Sequence, residues 1–206
     1  MPRWYARALM TRRLFLTPRS PYARKVRIAL LEKGLAFELI GVDFAARSPA
    51  FLAASPLGKV PALADEDGTT VFDSTVIAEY LEDRYPDPPF LGKTWSERLS
   101  NRALDELADT VADQAVAAWQ ARSRSDAAAE ERAIAAARKA LADLERRARE
   151  GAWPATFGLG DASVVSALGY LEVRHGRALI EEHPETEKRA LAHAARKSVA
   201  ETKPSM

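Results

Sequence analysis

The chain has 206 residues, of which 47% are hydrophobic and 29% charged, a balance typical of a folded globular protein. Its formal net charge of +1 gives no electrostatic reason to expect a nucleic acid or an anionic membrane as a partner, and no apolar run approaches the roughly 18 residues that a membrane-spanning helix requires. The absence of cysteine excludes disulfides, cysteine-based zinc sites and a thiol nucleophile, so any sulfur chemistry must come from a bound ligand.

Residues 1–11 are interpreted as an N-terminal extension. Several arginines and no acidic residue occur between Met1 and Lys25, a pattern shared with organellar transit peptides. Serine and threonine are sparse there, however, and the basic residues from Arg24 onward belong to a convincing helix. We therefore favour an N-terminal extension, or an upstream start codon with Met10 as the true first residue, over a transit peptide. No secretory signal is recognisable, and we expect a cytoplasmic protein.

The next segment predicts a β-α-β unit. Arg13–Thr17 has the pattern of a short strand. Ser20 followed by Pro21 is a helix-start signal, because serine caps a helix N-terminus and proline fits the first helical turn. The helix is predicted over Tyr22–Lys33, and Phe37–Phe44 is the second strand. The length of this unit is typical of a β-α-β motif.

A strand hairpin and a helix are predicted to follow. Pro61–Asp65 and Thr69–Phe72 have strand-like patterns, and the Glu66–Gly68 segment between them is typical of a turn between antiparallel strands. Thr75–Arg84 then predicts a helix. The order of these elements predicts a thioredoxin-like domain over residues 12–84, with a mixed sheet and helices packed on it.

The second half of the chain is predicted to be helical. Residues 85–93 are rich in proline and are interpreted as a linker. Thr94 begins a capping-box pattern that opens a long helix, and Asp126–Glu150 has the Ala, Glu and Arg content of another. Val164–Leu171 lies in a more apolar helix, the expected buried centre. Residues 94–206 are therefore predicted to form an all-α domain.

Three motifs resemble segments of cytosolic glutathione transferases, in particular the serine-type, bacterial and tau-like members. In chain order they are SPYARKVRIALLEKG (Ser20–Gly34), SPLGKVPAL (Ser55–Leu63) and DSTVIAEYL (Asp73–Leu81). A weaker fourth, Leu159–Ser163, is similar to the family's acidic folding motif. The resemblance covers the chain from about residue 12 to near its end. It implies the glutathione transferase fold, a homodimer, and glutathione as the co-substrate.

Asp73 and Ser74 are expected to hold the γ-glutamyl end of glutathione. They stand just before a predicted helix, where free backbone N–H groups and the positive end of the helix dipole favour a carboxylate. The resemblance implies that Ser74 binds the γ-glutamyl carboxylate and that Asp73 pairs with the neighbouring ammonium. The family usually has glutamate at the latter position. The alternative is that Ser74 is simply a helix N-cap.

Lys59, Val60 and Pro61 are expected to contact the rest of glutathione. The resemblance implies a cis peptide bond between Val60 and Pro61, and a Val60 backbone that pairs with the cysteinyl part of glutathione like an added strand. Lys59 would lie near the glycyl carboxylate. A solvated surface lysine is the alternative interpretation of Lys59.

Ser20 is expected to be the catalytic residue, through its effect on the glutathione thiolate. Lowering a thiol pKa by about 2 units from its usual value near 8.5 needs roughly 2.7 kcal/mol. A hydrogen bond to a charged group supplies about 1.5–3 kcal/mol, and the helix N-terminus adds to it. Thr17, Arg19 and Tyr22 are rival candidates for the same contact.

The histidines and two of the tryptophans, Trp119 and Trp153, are not expected to form a functional site. His175, His183 and His193 lack a carboxylate at a recognisable spacing, and no metal site is predicted. Trp119 and Trp153 are expected to pack in the core of the helical domain rather than line a pocket.

The sequence thus predicts an enzyme that joins glutathione thiolate to a small hydrophobic electrophile by addition or substitution, a detoxification activity. Isomerase, dehalogenase or peroxidase activity with glutathione is left open, whereas thiol–disulfide exchange by the protein's own sulfur is excluded by the lack of cysteine. The alternative is a non-catalytic binding or regulatory protein of the same fold. No nucleic acid or membrane partner is expected.

Overall fold

The computed structural model describes residues 11–204. The predicted N-terminal extension at residues 1–11 therefore lies, apart from its last residue, outside the described residues. Two regions follow each other along the chain, and the cleft described below lies between them. The first region contains all the strands found among the described residues, and the second is helical.

The first region is a four-stranded mixed sheet with helices packed on it. Its elements are β1 (Arg13–Leu16), α1 (Pro21–Glu32), β2 (Glu38–Gly41), α2 (Pro49–Ala54), β3 (Ala62–Ala64), β4 (Thr70–Phe72) and α3 (Ser74–Arg84). The strand order is β2-β1-β3-β4; β1 and β2 are parallel, whereas β3 is antiparallel to both of its neighbours. The predicted β-α-β unit, hairpin and thioredoxin-like mixed sheet are confirmed.

Strand β2 is shorter than the predicted Phe37–Phe44. It pairs with β1 only from Glu38, opposite Arg13, to Gly41, opposite Leu16, and it lies at the edge of the sheet. Because β1 is itself short, the backbone pairing ends where the N–H of Val42 donates to the carbonyl of Leu16 at 2.9 Å. The β-forming composition of the segment could not show where the neighbouring strand ends.

Helix α2 is an element that the sequence analysis did not predict. Ser48 caps it, its Oγ accepting a hydrogen bond from the backbone N–H of Phe51 at 3.2 Å, and Pro49 occupies its first position. Phe51 and Ala54 pack under the sheet against Phe15. The helix has six residues, which is too short for an apolar periodicity to be recognised.

The second region consists of helices. They are α4 (Trp95–Ser123), α5 (Ala127–Arg149), α6 (Leu159–His175), α7 (Ala178–Glu181), α8 (Pro184–Leu191) and α9 (Lys197–Ala200). The predicted capping box is present, since Thr94 Oγ1 accepts from the N–H of Glu97 at 3.2 Å and the Glu97 carboxylate accepts from the N–H of Thr94 at 3.0 Å. Helix α6 is buried along most of its length, as the sequence predicted.

The segment between α3 and α4 is packed rather than extended into solvent. Phe90 and Leu91 are buried in a core that α1 and α3 share with α6. The buried Lys33 ammonium donates to Glu82 at 2.8 Å, and the Glu82 carboxylate accepts from the backbone N–H groups of Phe90 and Leu91 at 2.9 and 3.2 Å. The two regions are therefore joined by a fixed segment. The domain boundaries at residues 85–93 stay a prediction.

A buried ion network also joins the two regions. The Lys25 ammonium of α1, 1% exposed, lies 2.7 Å from Asp105 and 2.6 Å from Asp109, both of α4. Asp105 accepts a further hydrogen bond from Ser163 of α6 at 2.6 Å, and Thr75 of α3 contacts the same pair of carboxylates. Burial raises the pKa of Asp109 to about 6 even though Lys25 lowers it.

Asp161, in the fourth motif, is a buried acceptor that fixes the start of α6. It accepts from Trp153 Nε1 at 3.0 Å, Gly158 N at 3.2 Å and Arg189 Nε at 3.0 Å, and His193 Nε2 lies 3.2 Å from it. The sequence showed no carboxylate at a recognisable spacing from His193, and the fold brings this histidine back against Asp161 of α6. Trp153 packs in the helical core, as predicted.

Within residues 11–204, no helix combines the length and the apolar character needed to cross a bilayer.

Candidate functional site

A cleft of about 1080 Å³ lies between the first region and the helical region. Its floor and one wall come from the loops that follow β1 and precede β3 and α3, and the facing wall comes from α4 and α6. Every site residue that the sequence singled out lines this cleft: Ser20, Lys59, Val60, Pro61, Asp73 and Ser74. The rival candidates Thr17, Arg19 and Tyr22 line it as well.

Ser20 stands at the N-cap of α1. Its Oγ accepts a hydrogen bond from the N–H of Ala23 at 3.2 Å, so the hydroxyl proton stays available for an acceptor in the cleft. Pro21 follows at the first position, and the first turn of α1 contains no acidic residue. No side-chain charge in that turn therefore offsets the positive end of the helix dipole beside Ser20.

Tyr22 is committed to another contact. Its hydroxyl donates to Asp113 of α4, across the cleft wall. Burial and this hydrogen bond raise the pKa of Tyr22 far above its usual value, so a tyrosinate does not form near neutral pH. The geometry therefore favours Ser20 over Tyr22 as the donor to an anion in the cleft, while Thr17 and Arg19 stay alternatives.

Ser55 holds the segment that precedes β3. Its side chain is fully buried, and its Oγ both donates to the carbonyl of Lys59 at 2.8 Å and accepts from the N–H of Lys59 at 3.1 Å. Val60–Pro61 is cis, as the resemblance implied. The Val60 backbone makes no hydrogen bond to a described residue. Ser55 lies within the second motif, but its positioning role is visible only in the folded loop, because both of its partner groups belong to the backbone of Lys59.

Asp73, not Ser74, is the N-cap of α3. Its Oδ1 accepts from the N–H groups of Thr75 and Val76 at 2.9 and 3.3 Å. Its backbone has a φ of 71°, a value that non-glycine residues rarely adopt and that is found more often at functional sites. The alternative that Ser74 is simply the cap was therefore wrong. Ser74 is the first helical residue, and its hydroxyl bonds to no described residue.

Trp119 lies on the cleft wall, and the expectation that it packs in the core was wrong. It is 37% exposed and lines the cleft with Asp113, Val116 and Gln120 of the same helix. These four residues are spaced so that they share one face of α4. That spacing was a usable signal, but a helix of 29 residues carries several such faces, and only packing decides which one meets the cleft.

The aligned relatives point to one family. The family model described as "Glutathione S-transferase, N-terminal domain" matches residues 14–89. Over 160 residues the chain is 34% identical to the uncharacterized GST-like protein YibF of Escherichia coli K12. This alignment covers 75% of the chain and 79% of that protein. The chain is also 38% identical over 100 residues to a maleylacetoacetate isomerase of Pseudomonas aeruginosa. That alignment covers 46% of the chain and 47% of the isomerase.

Solved structures agree with these relatives. The structure superposes with a TM-score of 0.86 on the crystal structure of a glutathione S-transferase from Methylobacterium radiotolerans in complex with glutathione sulfonate. The two chains are 32% identical, and the match covers 96% of each. The likeness therefore spans both the sheet-containing region and the helical region.

Proposed function

Because the chain belongs to the glutathione S-transferase family, we propose that it is a glutathione transferase that binds glutathione in the cleft and transfers its thiolate to an electrophile held against α4 and α6. The observation that carries this proposal is that one cleft brings together Ser20, the segment before β3 and the start of α3. Glutathione, when bound, supplies the sulfur that this cysteine-free chain lacks.

The start of α3 fits the γ-glutamyl end of glutathione. The Ser74 hydroxyl and the N-terminal end of the helix offer donors and a positive dipole to a carboxylate. One oxygen of Asp73 caps the helix, which leaves the second oxygen for the ammonium group. Asp73 is exposed on the cleft side. These features support the roles that the resemblance implies for the two residues.

The segment before β3 fits the cysteinyl and glycyl parts. Ser55 occupies both backbone groups of Lys59 and leaves those of Val60 to pair with a peptide, in the manner of an added strand. The Lys59 side chain is exposed beside this position, so its ammonium group is available to the glycyl carboxylate of glutathione. A tripeptide therefore has backbone, anionic and cationic contacts along one side of the cleft.

Ser20 performs the catalytic role in this proposal. Its hydroxyl donates a hydrogen bond to the thiolate, and the N-terminus of α1 adds favourable electrostatics, so the ionised sulfur is stabilised relative to the thiol. The serine forms no covalent bond. The electrophile is held against Val116 and Trp119 on the facing wall.

Binding and turnover test this proposal separately. We expect titration calorimetry to detect glutathione binding and a panel of electrophiles to show glutathione-dependent turnover. Binding without turnover favours the alternative, a non-catalytic binding or regulatory protein. Absence of binding contradicts the proposal in both forms. The substrate that is turned over shows whether the reaction is conjugation, isomerisation, dehalogenation or peroxide reduction.

We also propose that the protein acts in the cytoplasm and has a role in detoxification.

Two variants of Asp73 separate its capping role from its proposed binding role. Asp73→Asn keeps a side-chain oxygen for capping, so we expect stability to stay within about 0.5 kcal/mol of the wild type while glutathione affinity falls about tenfold. Asp73→Ala is expected to lose the cap as well, costing about 1 kcal/mol. Urea unfolding and calorimetry measure the two effects. Unchanged affinity in Asp73→Asn would remove Asp73 from the binding site.

We also propose that two copies of the chain associate through α3 and α4. Val76 of α3 is 53% exposed, and Trp95 and Leu99 of α4 are 78% and 55% exposed. We expect a dimer by light scattering, and a monomer for the double variant Val76→Glu, Leu99→Glu. Leu191→Glu, which replaces a comparably exposed leucine of α8 (62%), is the control and is expected to stay dimeric. A monomeric wild type would contradict this proposal.

A further inference from the structure

Arg174 stands out on the helical wall of the cleft. It lies in the last turn of α6, and its guanidinium carbon is 4.3 Å from the ring centroid of Trp119 and 5.7 Å from that of Tyr170. All three side chains line the cleft. Aromatic surface therefore lies beside the guanidinium group and does not neutralise its charge.

No described carboxylate neutralises Arg174. Its Nε is buried and has no hydrogen-bond partner among residues 11–204. The neighbouring Arg122 pairs with Glu130 and Arg177 pairs with Glu187, whereas Arg174 forms no ion pair within the described part of the chain. Its charge acts instead on the Tyr170 hydroxyl, where it opposes the rise in pKa that burial causes.

The other charged residues of the cleft either have a contact already or lie away from the helical wall. In the proposed function, Asp73 and Lys59 contact glutathione, and Asp113 already accepts the Tyr22 hydroxyl. Arg19 belongs to the loop of the first region and is exposed. Arg174 is therefore the cation on the wall that faces the second substrate, and a half-buried cation without a counterion favours an anionic ligand group.

We propose that Arg174 binds a carboxylate of the second substrate, so that the electrophile is an anionic molecule with an apolar or aromatic body. The body lies on Trp119 and Val116, and the carboxylate meets the guanidinium in the fork geometry that arginine offers to two oxygens. This inference rests on the proposed function, because it assigns the substrate class of the same cleft.

The test uses ligands that differ only in this carboxylate. Calorimetry measures the dissociation constants of glutathione, S-benzylglutathione, and S-(3-carboxybenzyl)- and S-(4-carboxybenzyl)glutathione. We expect the wild type to bind one carboxybenzyl conjugate about tenfold more tightly than S-benzylglutathione. In Arg174→Gln this ratio is expected to fall to about one, while glutathione itself binds as before. Arg174→Lys is expected to retain part of the ratio, because it keeps the charge but loses the planar fork.

The matched control is Arg124→Gln, an exposed arginine at the end of α4 that does not line the cleft. It removes the same charge and is expected to keep the wild-type ratio. The inference is overturned if the wild type shows no preference for either carboxybenzyl conjugate, or if the preference persists in Arg174→Gln. Failure of glutathione and every conjugate to bind would instead overturn the proposed function, and this inference with it.

Discussion

Ser20→Ala is expected to bind glutathione but to leave its thiol largely protonated near neutral pH. The variant removes the donor to the thiolate, a hydrogen bond to a charged group that is worth about 1.5–3 kcal/mol. The glutathione-dependent rate is therefore expected to fall by about 10- to 150-fold. Ultraviolet absorbance of the thiolate, titrated against pH in each complex, measures the cause, and steady-state kinetics measures the consequence.

Ser48→Ala is the matched control for this variant. Ser48 and Ser20 are both serine N-caps followed by proline, and each accepts one backbone hydrogen bond at 3.2 Å, but only Ser20 lines the cleft. Both variants are expected to lose about 1 kcal/mol of capping energy, and only Ser20→Ala is expected to lose the thiolate. If the wild type and Ser20→Ala hold the same fraction of thiolate, Ser20 does not stabilise the thiolate, and Thr17 or Arg19 becomes the candidate for that contact.

Lys25→Met is expected to destabilise the folded protein by about 3–5 kcal/mol, because it leaves two neighbouring carboxylates in a buried site without their cation. Lys25 contacts both Asp105 and Asp109, and this network joins α1 to α4 and α6. Urea unfolding measures the change. Lys139→Met, which replaces an exposed lysine of α5, is the control and is expected to change stability by less than about 0.5 kcal/mol.

The destabilisation caused by Lys25→Met is expected to be smaller at about pH 5 than at about pH 8. Burial already raises the pKa of Asp109 to about 6, from 3.8, so the folded state binds this proton more tightly than the unfolded state. For this group, stability therefore falls as pH rises between those two values. Loss of Lys25 is expected to raise the pKa of Asp109 further, so that at about pH 5 this carboxyl group is protonated and leaves no uncompensated charge in the variant. A pH-independent loss would contradict this account.

Some features of the chain were determined within short windows of sequence. Ser20 with Pro21, and Thr94 with Glu97, signal helix starts because capping joins atoms only three residues apart. The turn between β3 and β4 is local in the same sense. The resemblance of the three motifs also predicted the fold and the site residues on the sheet side of the cleft, since each motif lies within a single loop and the element next to it.

Other features depended on contacts between distant parts of the chain. Lys25 and Asp105 are 80 positions apart, and nothing near either residue indicates its partner. Asp73 was expected beside the helix but became its cap through a backbone conformation that its side chain does not predict.

The wall that faces the second substrate was decided by tertiary structure alone. Trp119 and Arg174 lie on different helices, and each has the periodicity of an ordinary helical residue. Sequence determined that both segments are helical, because dihedral preference and apolar spacing act over a few residues. Which helix faces meet at the cleft depends on how α4 and α6 pack against each other and against α1. That packing depends on all the buried surfaces together, which no short window contains.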